Sequence, residues 1–171
     1  MIPKIMNPNS ENPNMVTRIV LDTNVCLDLF VFRDPRWTHL HAALKDGSVE
    51  AITREDCRME WSIVLRYPHL KLDDAARIQV AAEFDALIRC TGMPAVNDAA
   101  LKLPICKDKD DQKFMELSRD IHADVLITKD KALLKLARKT RRDGLFAIMT
   151  PEAWTLEATA SEQTTASSSL S

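Results

Sequence analysis

Apolar residues form two continuous runs along the chain, Ile-Val-Leu at 19–21 and Val-Leu-Ile at 125–127. A continuous run, unlike an alternating one, is typical of a strand that is covered on both faces of its sheet. Segments with a helical pattern separate the runs from each other. The pattern predicts strands at 17–22, 49–52, 124–128 and 145–149, and helices at 24–33, 36–46, 54–66, 73–90, 109–122, 130–140 and 151–157.

Strands that alternate with helices predict an α/β fold, because each parallel strand needs a crossover to reach the next. The 171 residues suffice for one such domain with a sizeable core. We therefore predict a single domain at 16–157, in which a parallel sheet of four to five strands lies between two layers of helices. Residues 1–15 are rich in Asn and Pro and predict a flexible arm. Residues 158–171 have too few apolar side chains to pack and predict a disordered tail.

Composition and charge restrict the function only slightly. The net charge is −2, so nucleic acid would have to be bound by a local patch. No apolar run approaches the ~20 residues of a membrane span, and the opening residues lack the apolar region of a secretion signal. The four cysteines and four histidines show no metal-ligand spacing. Scattered thiols predict core packing and a reducing, cytoplasmic setting.

The chain contains only three glycines. Neither the Gly-rich dinucleotide-binding loop nor the P-loop for nucleoside triphosphates occurs, so two common uses of a parallel sheet are disfavoured. A parallel α/β sheet still places its functional site in the crevice beyond the carboxyl ends of its strands. Acidic residues at those strand ends are therefore the first candidates.

An aspartate follows each of the two apolar runs, Asp22 at the end of the first predicted strand and Asp130 two residues after the end of the strand predicted at 124–128. Each could serve as the N-cap of the helix that follows. If the two strands are neighbours in the sheet, both carboxylates lie at the same crevice. That arrangement favours a shared site over two separate caps.

Glu60 is the most informative acid, because the helical pattern places it where an apolar residue is expected. Cys57 precedes it by three residues, and Ile63 and Val64 follow it by three and four. A lone ionised carboxylate on that face would cost several kcal/mol or would become neutral. Pairing with an arginine would be a structural explanation. A position beside a metal ion at the crevice explains the acid better.

A third group of acids, Asp108, Asp110 and Asp111, enters the helix predicted at 109–122. Acids in a first turn also complement the helix dipole, so one of them alone would carry little information. Asp110 and Asp111 precede Phe114 by four and three residues, so either could point inward. Spacing does not choose between them.

Four carboxylates within a few ångströms of one another repel strongly unless a cation lies among them. Oxygen ligands without His or Cys favour Mg²⁺ or Mn²⁺. Such sites commonly act on phosphate esters, because the metal holds a phosphoryl oxygen and lowers the pKa of an attacking water. The sequence thus predicts a metal-dependent enzyme that acts on phosphate esters.

Four pieces of the chain, IVLDTNV, EWSIVLRYP, CKDKDDQKFMELS and ADVLITKDKALLKL, resemble the PIN-domain nuclease family in order and spacing. The resemblance is especially to the bacterial, VapC-like PIN-domain toxins of toxin–antitoxin operons, and it covers roughly residues 18–157. It implies that the four acidic positions that bind metal and catalyse the reaction are Asp22, Glu60, Asp111 and Asp130. It also implies that Asp108 is an accessory ligand. The polar side chains that would orient the acids are Thr23, Asn24 and Thr128.

The resemblance implies metal-dependent cleavage of single-stranded or structured RNA that leaves 5′-phosphate and 3′-hydroxyl ends. It further implies a homodimer and a protein antitoxin whose C-terminal segment covers the acidic groove. The chain departs from the family pattern at Lys129, at Lys109 and in its extended ends. These departures concern substrate choice and regulation more than the fold.

A basic stretch is the candidate path by which RNA would approach so acidic a pocket. Residues 129–142 hold seven basic residues and one acid. A solvated helix face is an equally good explanation of this stretch. Trp37, Trp61 and Trp154 could stack on bases, but core positions explain them better. The candidates for phosphate contacts are Lys129, Lys135, Arg138, Lys139, Arg141 and Arg142.

Two other functions stay open at this point. An aspartyl-nucleophile phosphatase or phosphotransferase would use Asp22, but that chemistry usually requires an acid two residues later, where this chain has Asn24. A non-catalytic PIN-like module would bind RNA or an antitoxin without cleaving anything. Such a module would not need all four acids.

Overall fold

The computed structural model describes residues 16–92 and 102–169, with side chains of the last helix described as far as residue 162. The predicted arm at 1–15 lies outside the described residues. The strands are β1 (Thr17–Leu21), β2 (Val49–Arg54), β3 (Ile88–Thr91), β4 (Val125–Ile127) and β5 (Ala147–Met149). The α-helices are α1 (Thr23–Phe30), α2 (Thr38–Asp46), α3 (Glu55–Val64), α4 (Asp74–Leu87), α5 (Gln112–Asp120), α6 (Lys131–Leu134), α7 (Ala137–Arg142) and α8 (Pro151–Ser169).

The five strands form one parallel sheet in the order β3-β2-β1-β4-β5. From β1 the chain builds outward through β2 and β3, then crosses to the other side of β1 and builds outward through β4 and β5. β1 pairs with β4 from Ile19 opposite Val125 to Leu21 opposite Ile127. The strand order therefore reverses between β1 and β4. In open α/β sheets the crevice at such a point is where ligands bind.

Helices cover both faces of the sheet, and each face has its own hydrophobic core. Ile19 and Leu21 lie in the first core, which includes buried side chains of α1, α2, α4 and α8. Val20 lies in the second core, with buried side chains of α5 and α6. The continuous apolar runs are thus explained, because β1 and β4 each contribute side chains to both cores. The predicted α/β fold, a parallel sheet between helical layers, is confirmed.

The strand β3 is the largest difference from the predicted elements. The pattern predicted one helix over 73–90, but α4 ends at Leu87 and β3 begins at Ile88. Ile88 is buried in the first core, and the strand pairs with β2 along one edge of the sheet. Only one of its four residues is fully buried, so its apolar pattern is too short to distinguish the strand from the end of the preceding helix in the sequence.

The structure continues α8 over residues 158–169, where the sequence predicted a disordered tail. The Thr155 hydroxyl donates to the Pro151 carbonyl at 2.8 Å, and the Thr159 hydroxyl donates to the Thr155 carbonyl at 2.8 Å. Ala158 adds a partly buried contact to the first core. Residues added to a helix that Trp154 already anchors in the first core need no new helix nucleus, so they need less apolar surface than a separate segment would.

The other elements differ from the prediction mainly at their ends. The helix predicted at 130–140 is divided into α6 and α7, and a 3₁₀ turn at Lys109–Asp111 precedes α5. The cysteines are buried as predicted except Cys90, which is exposed on the edge strand β3. Across the described ranges, no helix has the length and apolar character needed to cross a membrane.

Candidate metal centre

Asp22 and Asp130 lie at the carboxyl ends of the neighbouring strands β1 and β4. Asp22 is the N-cap of α1, and its Oδ1 accepts a hydrogen bond from the Thr23 N–H at 2.6 Å. Asp130 is the N-cap of α6, and its Oδ1 accepts from the Ala132 N–H at 2.7 Å. Capping and a shared position at the crevice are therefore compatible, since each acid caps its helix and still lies beside the other.

Thr128 connects the two capping acids. Its side chain is completely buried, and its hydroxyl donates to Asp22 Oδ2 at 2.6 Å. The same hydroxyl oxygen accepts from the backbone N–H of Asp130 at 2.9 Å. One hydroxyl thus fixes the carboxylate of Asp22 and the backbone that carries Asp130.

Asp111 completes the group of acids at the crevice. It ends the 3₁₀ turn before α5 and is buried. Asp22, Asp111 and Asp130 each offer one carboxylate oxygen, and these oxygens lie within 4.8 Å of one another. Asp110, which spacing could not separate from Asp111, is exposed. Asp108 is also exposed and caps the turn by accepting from the Asp110 N–H at 3.0 Å, so the predicted accessory ligand lies outside the group.

Burial and mutual repulsion shift the pKa values of these acids. Burial raises the pKa of Asp22 to about 6, and a hydrogen bond from Thr128 opposes the rise. The charges of Glu60 and Asp130 raise the pKa of Asp22 further. Burial also raises the pKa of Asp111, with the neighbouring Asp130 carboxylate as the second cause, while the pKa of Asp130 is lowered by its interaction with Asp111. The group therefore carries negative charge that a cation would relieve.

The donor atoms of this group fit a hard divalent ion. Among the described residues the group consists of three aspartates and includes neither His nor Cys. Asp111 Oδ2 is buried and has no hydrogen-bond partner within the described ranges. A buried oxygen without a partner is costly unless something binds it. Mg²⁺ and Mn²⁺ prefer carboxylate oxygens, so Asp22, Asp111 and Asp130 are the residues that would hold the ion.

Glu60 stands near this group but is not part of it. The helix α3 buries Cys57 and Trp61, whereas Ile63 is 53% exposed. The spacing had predicted Glu60 within the apolar stripe of α3. In the structure Glu60 instead lies at the edge of the buried face of this helix. The spacing was misleading because the buried residues recur every four positions, through Cys57, Trp61 and Leu65.

The two partners of Glu60 explain how its charge is tolerated. Its Oε2 accepts a hydrogen bond from the Thr23 hydroxyl, and its Oε1 accepts one from Lys113 Nζ at 2.7 Å. The pairing cation is thus a lysine and not the arginine considered from the sequence. Lys113 lies 53 residues away, on α5, and only the packing of α5 near α3 brings the two together. No local pattern could have revealed this pair.

The polar residues predicted to orient the acids behave differently from one another. Thr23 binds two acids, Asp22 through its backbone N–H and Glu60 through its hydroxyl. The Thr128 hydroxyl donates to Asp22 and accepts from the Asp130 N–H. Asn24 does not bond to a carboxylate, and its Oδ1 is buried without a partner in the part of the chain that the structure describes. Asn24 is therefore not a support for the acids in this structure.

Lys129 does not stand free for a phosphate. Its Nζ lies 2.7 Å from Asp28 Oδ2, on α1, and the same oxygen accepts from Trp37 Nε1 at 3.2 Å. Asp28 is buried, so the ammonium of Lys129 neutralises a buried acid of α1. All three tryptophans lie in the first core, as expected.

The other predicted phosphate contacts are exposed side chains in and around α6 and α7. Because β4 and β5 are parallel, this segment must return from the carboxyl edge of the sheet to the amino edge. Arg141 and Arg142, at the end of α7, therefore lie toward the edge away from the acids, which contradicts a position near the crevice. The exposed residues are Lys135, Arg138, Lys139, Arg141 and Arg142.

The fold is a parallel α/β sheet with three carboxylates at the point where its strand order reverses, which is where open α/β sheets bind ligands. A family model described as the PIN domain matches residues 18–132, and the chain belongs to the PIN domain family. PIN domains are in general metal-dependent nucleases. The match spans all four acidic positions, Asp22, Glu60, Asp111 and Asp130. A search of curated proteins finds no match to the chain.

Proposed function

We propose that the protein is an endoribonuclease that hydrolyses RNA phosphodiester bonds with the help of Mg²⁺ or Mn²⁺. The observation that carries the proposal is the group of three aspartates, whose carboxylate oxygens lie within 4.8 Å of one another. The buried, unpartnered Oδ2 of Asp111 supports a bound cation at that place. Membership of the PIN domain family supports nuclease activity, and the resemblance to the toxins of the family supports RNA as the substrate.

The chain's own residues would share the work as follows. Asp22, Asp111 and Asp130 would hold the ion, and one of them would orient the attacking water. A divalent ion bound there lowers the pKa of water and stabilises the charge that develops on the phosphate. Thr128 holds Oδ2 of Asp22 and Thr23 holds Oδ1, which keeps the carboxylate in one orientation. In-line attack by water would leave 5′-phosphate and 3′-hydroxyl ends.

Glu60 would act on the site through Thr23. The Thr23 hydroxyl donates to Glu60, and the Thr23 N–H donates to Asp22. This pair of bonds links α3 to the start of α1. Lys135 and Arg138, exposed basic residues that follow α6 along the chain, would contact RNA phosphates and offset the repulsion from the acids.

The biological setting is proposed from the resemblance to the toxin subgroup. The protein would be a cytoplasmic homodimer and the toxin of a toxin–antitoxin pair, with a protein antitoxin that covers the acidic groove. Free cysteines are compatible with a reducing compartment. Light scattering of the purified protein tests the dimer, since a monomer at all concentrations would contradict it.

Cleavage of mixed cellular RNA, followed by mapping of the new 5′ ends, tests the activity. We expect wild-type protein to produce 5′-phosphate ends with Mn²⁺ and none with EDTA. Asp22→Asn should lower the cleavage rate by at least about 100-fold, more than the loss typical of residues that only support a ligand. Asp143→Asn changes an exposed carboxylate outside the group in the same way and should leave the rate unchanged.

Two outcomes would contradict the proposal. Equal cleavage by wild type and Asp22→Asn would show that the aspartate group is not the active site. A covalent phosphoenzyme on Asp22 without RNA cleavage would show an aspartyl-nucleophile phosphotransferase instead. Both oxygens of Asp22 already accept hydrogen bonds, which suits a fixed ligand better than a nucleophile.

A further inference from the structure

The four acids at the crevice are of two kinds. The three aspartates form a group with a buried oxygen, Asp111 Oδ2, that has no partner in the described structure. Glu60 has a donor on each oxygen, because Thr23 binds Oε2 and Lys113 binds Oε1. The aspartates are thus open to a cation, whereas Glu60 already has one.

Lys113 is held in place by several contacts. Its ammonium lies 2.7 Å from Glu60 Oε1, donates to the backbone carbonyl of Asp110, and lies 5.1 Å from the centre of the Phe114 ring. Only 19% of the Lys113 side chain and 29% of the Glu60 side chain are exposed. A pair so enclosed is screened by solvent much less than an ion pair on the surface.

We propose that Lys113, and not a second metal ion, neutralises Glu60, so that the protein without RNA binds one divalent ion per chain, at Asp22, Asp111 and Asp130. The inference rests on the proposed function, because it concerns the same site. A second ion at Glu60 would have to displace the ammonium or lie within a few ångströms of it, where like charges repel strongly.

The same contacts make Lys113 a positioning residue. Lys113 fixes Glu60, Glu60 accepts from the Thr23 hydroxyl, and the Thr23 N–H holds Asp22 Oδ1 at 2.6 Å. Through these contacts the ammonium of Lys113, on α5, helps to orient the carboxylate of Asp22 at the end of β1. Loss of the ammonium would free Glu60 to take a metal ion of its own.

Titration of the full-length protein with Mn²⁺ by calorimetry and electron paramagnetic resonance tests the inference without RNA. We expect one Mn²⁺ per chain for the wild type and for Lys113→Arg, which keeps the charge. Lys113→Met should bind two, with the broadened spectrum of two neighbouring Mn²⁺ ions. Lys113→Met combined with Glu60→Gln should return to one. Lys131→Met removes an exposed lysine beside Asp130 and should bind one.

The outcomes separate this inference from the proposed function. Two ions in the wild type, or one ion in a folded Lys113→Met, would overturn it. If circular dichroism shows that Lys113→Met does not fold, the Glu60→Gln variant alone decides. Loss of the bound ion in Glu60→Gln would show that Glu60 is a ligand, whereas retention of one ion supports the inference. RNA cleavage is measured separately, so a protein that binds one ion as expected but cleaves no RNA contradicts only the ribonuclease proposal.

Discussion

Thr128 is the residue on which the arrangement of the acids depends most directly. Its hydroxyl donates to Asp22 Oδ2 and accepts from the Asp130 N–H, and it has no exposure to solvent. A buried hydroxyl that serves both as donor and as acceptor cannot be replaced by an apolar group without leaving both partners unsatisfied. The geometry of two ligands thus depends on one oxygen atom.

Replacement of Thr128 by valine should weaken metal binding. The variant keeps the shape of the side chain but removes both hydrogen bonds of the hydroxyl, so only the Thr23 N–H still orients the carboxylate of Asp22. We expect the Mn²⁺ dissociation constant, measured by calorimetry, to rise about 10- to 100-fold, the range typical of residues that orient metal ligands. Thr140→Val is the matched control, because Thr140 is equally buried but its hydroxyl donates to the Ala137 carbonyl on α7. An equal loss in both variants would contradict the role of Thr128.

At the residue scale the sequence predicted the acids better than their partners. Asp22 and Asp130 could be predicted because each follows a continuous apolar run, which fixes its place at a strand end. Asp111 could not be chosen over Asp110 from spacing, since a 3₁₀ turn decides which of the two is buried. Lys113 could not be predicted at all, because a lysine on a helix gives no local sign of a partner on another helix.

The helix α6 shows how a short element can hold a functional residue. It has four residues, begins directly after its N-cap Asp130, and is too short to be stable by itself. Leu133 anchors it, since this side chain is completely buried in the second core. The position of Asp130 therefore depends on hydrophobic packing beneath it as well as on its hydrogen bonds.

Leu133→Ala should destabilise the protein and loosen Asp130. Truncation of a fully buried leucine costs about 2–5 kcal/mol of unfolding free energy, which urea denaturation would measure. We also expect weaker Mn²⁺ binding, because α6 would no longer fix its N-cap. Leu156→Ala makes the same change at a side chain that is 67% exposed on α8, and it should cost less than about 0.5 kcal/mol. Similar losses in the two variants would show that Leu133 does not anchor α6.

At the element scale, predictability followed the length of the apolar pattern. β1 and β4 were predicted because each places side chains in both cores and so reads as a continuous run. β3 was missed because it follows α4 without a break and buries only Ile88 among its four residues. The helical continuation of α8 was missed because it extends a helix that Trp154 already anchors in the first core, which the composition of the tail itself does not register.

The whole molecule brings together acids that are far apart in sequence. Thr128 lies 106 residues after Asp22, yet the crossover from β3 back to β4 places them within one hydrogen bond. The free-energy cost of desolvating the gathered acids is offset by the favourable packing of the sheet, its two cores and the helix caps. The protonation state of the metal-free acids should therefore change the free energy of unfolding of the whole domain.

The pKa of Asp22 connects that stability to pH. Its value is raised from 3.8 to about 6 in the folded protein. Between these values the folded protein holds a proton that the unfolded chain has lost, so the free energy of unfolding falls as pH rises. The raised pKa of Asp111 acts in the same direction. The lowered pKa of Asp130 acts only below about pH 4, because its ordinary value is 3.8.

Urea denaturation of the metal-free protein across pH 4 to 7 tests this linkage. We expect the unfolding free energy to fall by about 2–3 kcal/mol from Asp22 alone as pH rises from about 4 through 6. Asp22→Asn should flatten the curve in this range, whereas Asp143→Asn, at an exposed position, should keep the wild-type curve. Saturating Mn²⁺ should reverse the trend, because the ion binds only ionised carboxylates and stabilises the folded state more as pH rises. A wild-type stability that increases over this range without metal would contradict a desolvated, proton-holding aspartate at the end of β1.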